Sequence, residues 1–258
     1  MMLPQYRVGM ITPSSNTCLE VVTSQILAGR DDVGMHVTRL PVTRIAVDDT
    51  SDDQFASTRM IEAARQLADA QVDVLVWNGT AGAWLGVARD AELCAQITAA
   101  TGIPATTSAL AIVESLRHLG VNRFGLAVPY TANVAELIVR EFARNGLTAV
   151  GVSALGIETN YDFARLSRAQ VESMVVDAAA SGAGAVAVVC TNVPAAGLVP
   201  QLEKSLGIPV CDSVAVTLWQ ALRLLGVDPV VPGWGRLLSG EIAGSAADSG
   251  AESREEIK

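Results

Sequence analysis

The chain has 258 residues, of which 50% are hydrophobic, 17% charged and 4% aromatic, enough for one large domain or two small ones with real cores and typical of a tightly packed α/β protein. A net charge of -9 with no basic cluster argues against nucleic acid or an anionic membrane surface as partner, although helix N-termini can still hold a small anion. No run approaches the roughly 20 apolar residues of a membrane span, the start shows no leader pattern, and four cysteines without close pairing stand beside two histidines, so the expectation is a cytoplasmic protein with no zinc site.

In chain order, Arg7 to Thr12 reads as a strand running into the polar turn Pro13-Ser14-Ser15-Asn16, and helical spacing follows from Thr17 to Leu27. A helix with an acidic start covers Ser51 to Ala70. Asp73 to Trp77 is a short apolar strand that ends in Asn78-Gly79-Thr80. Gly102-Ile103-Pro104-Ala105-Thr106-Thr107-Ser108 leads into a helix ending at Leu119-Gly120-Val121. Arg123 to Val128 is the next strand, with the turn Pro129-Tyr130-Thr131 and a helix from Ala132 to Asn145. Another helix covers Leu166 to Ser181. The Val-rich run Ala183 to Val189 is too short for a helix, and it delivers Cys190-Thr191-Asn192 at a strand end. Gly207-Ile208-Pro209-Val210-Cys211-Asp212-Ser213 then opens a helix to Leu225-Gly226-Val227, and Glu241 to Lys258 lacks large apolar residues and reads as a loose tail.

Three of these stretches occur twice, in the same order. Arg7 onward matches Arg123 onward, with Glu20 and Glu136 in corresponding places; Asp73 onward matches Gly184 onward; and Gly102 onward matches Gly207 onward. Such ordered pairs point to a duplicated α/β unit. The expected fold is therefore two doubly wound parallel-sheet domains related by a pseudo-twofold axis. Residues 1–118 plus 213–238 form the first, 119–212 the second, and 239–258 a flexible tail. Ligands of such sheets sit outside the carboxyl ends of the strands, so the turns should converge on a cleft between the domains.

Cys190 is the first candidate for chemistry. A thiol with an ordinary pKa of about 8.5 can act as acid, base or nucleophile near neutrality, whereas the alternative is a buried structural cysteine. Without gaps, Gly79 falls on Cys190 and Thr80 on Thr191 in the repeat, so one half has the thiol and the other does not. Ser14, Ser15 and Asn16 either cap a helix or, with free N–H groups, hold a carboxylate. Thr80 offers a hydroxyl at a turn that needs small residues anyway, and Tyr130 is either a packing residue or a further donor. Cys18, Cys94 and Cys211 read as small buried hydrophobes. His36 and His118 are not expected to act in catalysis, and Arg44 reads as a solvated arginine.

The ordered set of Pro-Ser-Ser-Asn, the small-residue turn, Val-Pro-Tyr, Cys-Thr-Asn and Pro232-Gly233-Trp234-Gly235-Arg236-Leu237-Leu238 resembles the aspartate/glutamate racemase superfamily. Within it, the similarity is to the maleate cis-trans isomerase and arylmalonate decarboxylase branch, and it covers roughly Arg7 to Leu238. Most racemases and isomerases of that superfamily use two cysteines, one from each half. Here the first position holds Gly79, or Asn78 if the turn is registered one residue differently. A Gly-Thr at that position, a single late cysteine and a mid-chain tyrosine are the arylmalonate decarboxylase pattern, whereas Pro-Ser-Ser-Asn is closer to the maleate isomerases.

The resemblance implies a cofactor-independent enzyme acting on a small carboxylate or dicarboxylate. Cys190 would be catalytic, and Ser14, Asn16, Val42, Gly79, Thr80, Tyr130, Thr191 and Asn192 would line the substrate, Val42 being either part of an apolar wall or an ordinary apolar loop residue. Three functions follow: decarboxylation of a substituted malonate through an enediolate that Cys190 protonates, isomerisation or racemisation of a small dicarboxylate, or noncatalytic binding of a small acid. The oligomeric state, the substrate's side group and the stereochemistry stay open at this level.

Overall fold

A computed structural model describes residues 3–45, 53–179 and 182–241. Two four-stranded parallel sheets carry the fold. The first uses β1 (Tyr6–Pro13), β2 (Val33–Leu40), β3 (Val74–Trp77) and β4 (Ala105–Thr107) in the order β2-β1-β3-β4. The second uses β5 (Arg123–Val128), β6 (Thr148–Ala154), β7 (Ala185–Val188) and β8 (Val210–Asp212) in the order β6-β5-β7-β8.

The helices are α1 (Leu19–Ile26), α2 (Ser57–Asp69), α3 (Gly82–Leu85), α4 (Val87–Thr101), α5 (Ser108–His118), α6 (Ala132–Arg144), α7 (Asn160–Phe163), α8 (Arg168–Ala178), α9 (Val199–Leu206) and α10 (Ser213–Leu224). The duplication extends to strand register. Val8 pairs with Val74 as Phe124 pairs with Ala185, and Leu75 pairs with Ala105 as Val186 pairs with Val210. The two helices that precede β4 and β8 even stop alike, on Gly102 at φ 74° and Gly207 at φ 75°, left-handed positions that a residue with a Cβ resists.

The central strands are buried on both faces, which is why they read as continuous Val, Leu, Ala and Ile runs. On one face of the first sheet Val8, Met10, Val74 and Val76 meet Val214, Leu218, Trp219 and Leu222 of α10. The end of the chain thus returns to the sheet that its beginning forms. On the other face Ile11, Leu75 and Trp77 join a core that runs without interruption through Leu126, Val128, Val186 and Val188 of the second sheet. α5 and α10 pack on each other, with the Thr217 hydroxyl 2.9 Å from that of Ser108.

The edge strands β2 and β6 were not legible as strands, because they mix polar with apolar residues along one half-covered face. α1 starts two residues later than its periodicity, since the Asn16 side chain takes the N–H groups of Cys18 and Leu19 at 3.0 and 2.9 Å. α8 begins only at Arg168, because Ser167 and Gln170 form a capping box. Of the expected helix from Ser51 to Ala70, Ser57–Asp69 is helical, and residues 51 and 52 lie outside the described residues. Likewise residues 180 and 181 of the Leu166 to Ser181 helix and residues 242–258 of the expected tail lie outside them, while Ser239 and Glu241 are hydrogen-bonded back to Gly235 and Arg236.

Candidate active site

The carboxyl ends of β1, β3, β5 and β7 come together, and their turns bond across the two halves. Cys190 follows β7 and is 2% exposed. Its N–H donates to Ser213 Oγ at 2.9 Å, which fixes the turn against the start of α10. Around the sulfur stand the Tyr130 hydroxyl and the N–H groups of Asn192 and Val193. Burial pushes the Cys190 thiol up to about 11, and these three donors oppose the rise by favouring the thiolate. At neutral pH the group is a thiol with donors arranged for the anion it becomes on giving up its proton.

Tyr130, after β5, links this thiol to the other half. Its hydroxyl lies 2.9 Å from Thr80 Oγ1, while its ring packs edge-on against Trp84 at 5.4 Å and Phe163 at 5.3 Å. Burial, and then the neighbouring Cys190, push the phenol well above its ordinary value, so it remains a donor. The N–H groups of Gly79, Thr80 and Thr191 make no hydrogen bond among the described residues. Two hydroxyls and these N–H groups, at neighbouring strand ends, make a donor set suited to a carboxylate.

Other expected residues hold the two halves together. Asn16 Nδ2 donates to Thr191 Oγ1 at 3.2 Å, and that hydroxyl donates to the Asn78 carbonyl at 2.9 Å. Asn192 Oδ1 accepts from the Thr17 and Cys18 N–H groups at 2.9 and 3.2 Å, and its Nδ2 donates to the Asn160 carbonyl at 2.6 Å. Val42 is buried at 1% exposure, and its N–H donates to Ser14 Oγ at 3.3 Å. Ser14 itself is exposed, so its hydroxyl secures the Val42 loop from outside. Arg44 is half-exposed and pairs with Glu158 at 3.0 Å.

Gly79 has no room for a side chain. A Cβ placed there would lie 2.3 Å from two atoms of the Trp77 indole, well inside contact distance. The matched ladders put this glycine at the strand-end place that Cys190 occupies in the other half. The indole therefore fills space that a first-half thiol would need.

Sequence reasoning passed over Trp77, Asn160, Asp212 and Ser213. The last two lay in a stretch already recognised as repeated, whereas Asn160 gives no local signal at all: its Nδ2 reaches Ser15 Oγ at 2.7 Å from far along the chain. Cys18, Cys94 and Cys211 are buried and unpaired. His118 packs against Trp219 with the rings tilted by 53° and their centroids 5.1 Å apart. A cavity of about 190 Å³ lies behind Trp77, lined by Phe55, Met60, Ala81, Leu85 and Asp90 among others; Cys190 is not part of its wall. No group of His, Cys, Asp and Glu suited to a metal occurs among the described residues, and none of their helices is long and apolar enough to cross a membrane.

Residues 16–238 match the family model described as arylmalonate decarboxylase. The chain belongs to the arylmalonate decarboxylase family. Its relatives are enzymes of two kinds. A maleate isomerase of Pseudomonas putida is 30% identical over 247 residues, covering 91% of this chain and 98% of the relative. The arylmalonate decarboxylase of Bordetella bronchiseptica is 32% identical over 182 residues, covering 69% of this chain and 76% of the relative. Among solved structures, a cysteine-to-serine mutant of Nocardia farcinica maleate cis-trans isomerase, with a covalently bound succinylcysteine intermediate, superposes with a TM-score of 0.82 at 26% identity, over 90% of this chain and 98% of that one.

Proposed function

We propose that this family member is a cofactor-independent decarboxylase of a substituted malonate, with Cys190 as the proton donor. The observation that carries the reading is the Trp77 indole against Gly79, which leaves the first-half strand end without the thiol that its second-half counterpart, Cys190, carries. The Nocardia isomerase mutant forms its succinylcysteine on a cysteine other than the one replaced by serine. Here the matching strand end offers glycine.

The donor set accounts for the chemistry. The carboxylate that stays is held by Thr80, Tyr130 and the strand-end N–H groups. As the bond to the other carboxylate breaks, its electron pair moves into the remaining one as an enediolate, and CO2 leaves neutral. Fixed donors stabilise that enediolate more strongly than the ground state. Cys190 then passes its proton to the carbon and keeps the electron pair as a thiolate, which Tyr130 and the Asn192 and Val193 N–H groups receive. An apolar wall supplied by the buried Val42 would suit a departing carboxylate, since poor solvation raises its energy relative to CO2. Four unpaired thiols fit a reducing, cytoplasmic setting.

A second reading, an isomerase acting on a small dicarboxylate, draws on the wider coverage of the Pseudomonas maleate isomerase. Proton NMR in D2O separates the two. Phenylmalonate, methyl-phenylmalonate and maleate are incubated separately with wild type and with Cys190→Ala. Loss of CO2 with one deuterium delivered, by wild type only, is the expected result. Fumarate formed from maleate, with no decarboxylation in any tube, would sink the proposal.

A further inference from the structure

Asp212 closes β8 and caps α10, its Oδ1 accepting the Val214 and Ala215 N–H groups at 2.9 and 3.0 Å. Its other oxygen, Oδ2, is fully buried and has no hydrogen-bond partner among the described residues. The cap does not require a carboxylate, because Ser, Thr or Asn serves as well. The repeat makes the point within this molecule: the counterpart position is Thr107, whose hydroxyl caps α5 by taking the Leu110 N–H at 3.1 Å. A buried carboxylate with an idle oxygen costs stability that a threonine would not.

Asp212 lies close to the reacting group. β8 pairs with β7 so that Asp212 sits opposite Val188, two residues before Cys190. The next residue, Ser213, accepts the Cys190 N–H and donates to the Val188 carbonyl. The charge of Asp212 acts on Cys190 and also on Cys18, at the entry to α1. The remaining titratable groups here are Tyr130 beside Cys190, Cys211 on β8 itself, and Glu203 of α9, whose charge also acts on Cys211. Among the described residues no cation offsets the Asp212 charge, and burial lifts this carboxyl to about 7.

We propose that Asp212 is a positioning residue for the Cys190 reaction: its buried carboxyl ends the strand paired with the one that delivers the sulfur, and the two groups resist carrying negative charge together. The inference rests on Cys190 as the reacting group and not on which reaction it performs. When the thiol gives its proton to carbon, the electron pair of the S–H bond stays on sulfur. A neutral Asp212 tolerates that thiolate, and an ionised one opposes it. As pH rises through the ionisation of Asp212, Cys190 holds its proton more tightly.

The test needs no substrate, so its failure is distinct from failure of the decarboxylase reading. The rate at which methyl methanethiosulfonate modifies Cys190 is followed by mass spectrometry of the Cys190 peptide. Asp212→Asn, which keeps the capping oxygen, is compared with wild type at about pH 5.5 and about pH 8.5, on either side of the Asp212 ionisation. The variant should react at nearly the wild-type rate at the lower pH and roughly threefold to tenfold faster at the higher. Asp212→Thr, which copies the Thr107 cap, should do the same. An equal gain at both pH values reports only easier access, and it overturns the proposal, as does no gain at either. Wild type supplies its own check if neither variant folds: log rate against pH must bend near pH 7, and a line of unit slope throughout refutes the coupling.

Discussion

Gly79→Ala is a single added methyl, yet the structure gives it a large effect. The new Cβ would lie 2.3 Å from Cε2 and Cζ2 of Trp77 and 2.6 Å from Nε1. Carbon atoms in contact prefer about 3.5 to 4.0 Å, so the indole has to retreat by more than 1 Å. Trp77 is 1% exposed and touches Phe55 edge-on at 6.3 Å, which makes that retreat a core rearrangement. Overpacking of this kind costs about 1 to 3 kcal/mol. Urea unfolding of wild type, Gly79→Ala, Trp77→Phe and the double variant forms a cycle. The alanine should cost about 1 to 3 kcal/mol beside tryptophan and well under half of that beside phenylalanine, leaving a coupling of about 1 kcal/mol or more. If the alanine costs the same in both backgrounds, or less than about 0.5 kcal/mol in wild type, the indole does not exclude a side chain at Gly79 and the one-thiol argument fails.

Tyr130→Phe keeps the ring against Trp84 and Phe163 but removes the hydroxyl that lies against both Thr80 and Cys190; turnover should fall roughly 100-fold or more, with stability changed by about 1 kcal/mol, as read by steady-state kinetics and urea unfolding. Asn192→Ala severs the link from the second half to the Thr17 and Cys18 N–H groups and the Asn160 carbonyl, and should cost about 1 to 3 kcal/mol in the same unfolding assay. Asp90 is buried with Thr107 as hydrogen-bond donor, and burial lifts its carboxyl from 3.8 to about 7. The folded state therefore retains a proton that the unfolded chain has lost, and stability falls as pH rises from 3.8 to about 7. Asp90→Asn removes that loss: its advantage over wild type should grow by up to about 4 kcal/mol between pH 4 and pH 8, as measured by urea unfolding at both.

The duplication, the parallel sheets and the grouping of Thr80, Tyr130 and Cys190 at strand ends could be argued from the chain alone. Each rests on a local pattern, a buried apolar run ending in small polar residues, and the pattern occurs twice. Local pattern could not separate the roles of Ser14 and Asn16, which share one turn: Asn16 caps α1 and reaches Thr191, while Ser14 faces outward and holds the Val42 loop. Nor could it show β2 and β6, whose alternation is blurred by half-exposure at the sheet edges.

The order and type of the central strands, and the place of the thiol at the end of one of them, were determined by the sequence by itself, because hydrophobic periodicity and turn chemistry act over a few residues. Only the tertiary structure decided that Trp77 covers Gly79, that Asn160 bridges to Ser15 and Asn192, and that one oxygen of Asp212 is left over on the strand paired with the one that leads to Cys190. Those are matters of which surfaces meet when two sheets close on each other, and contact across space leaves no period in the chain.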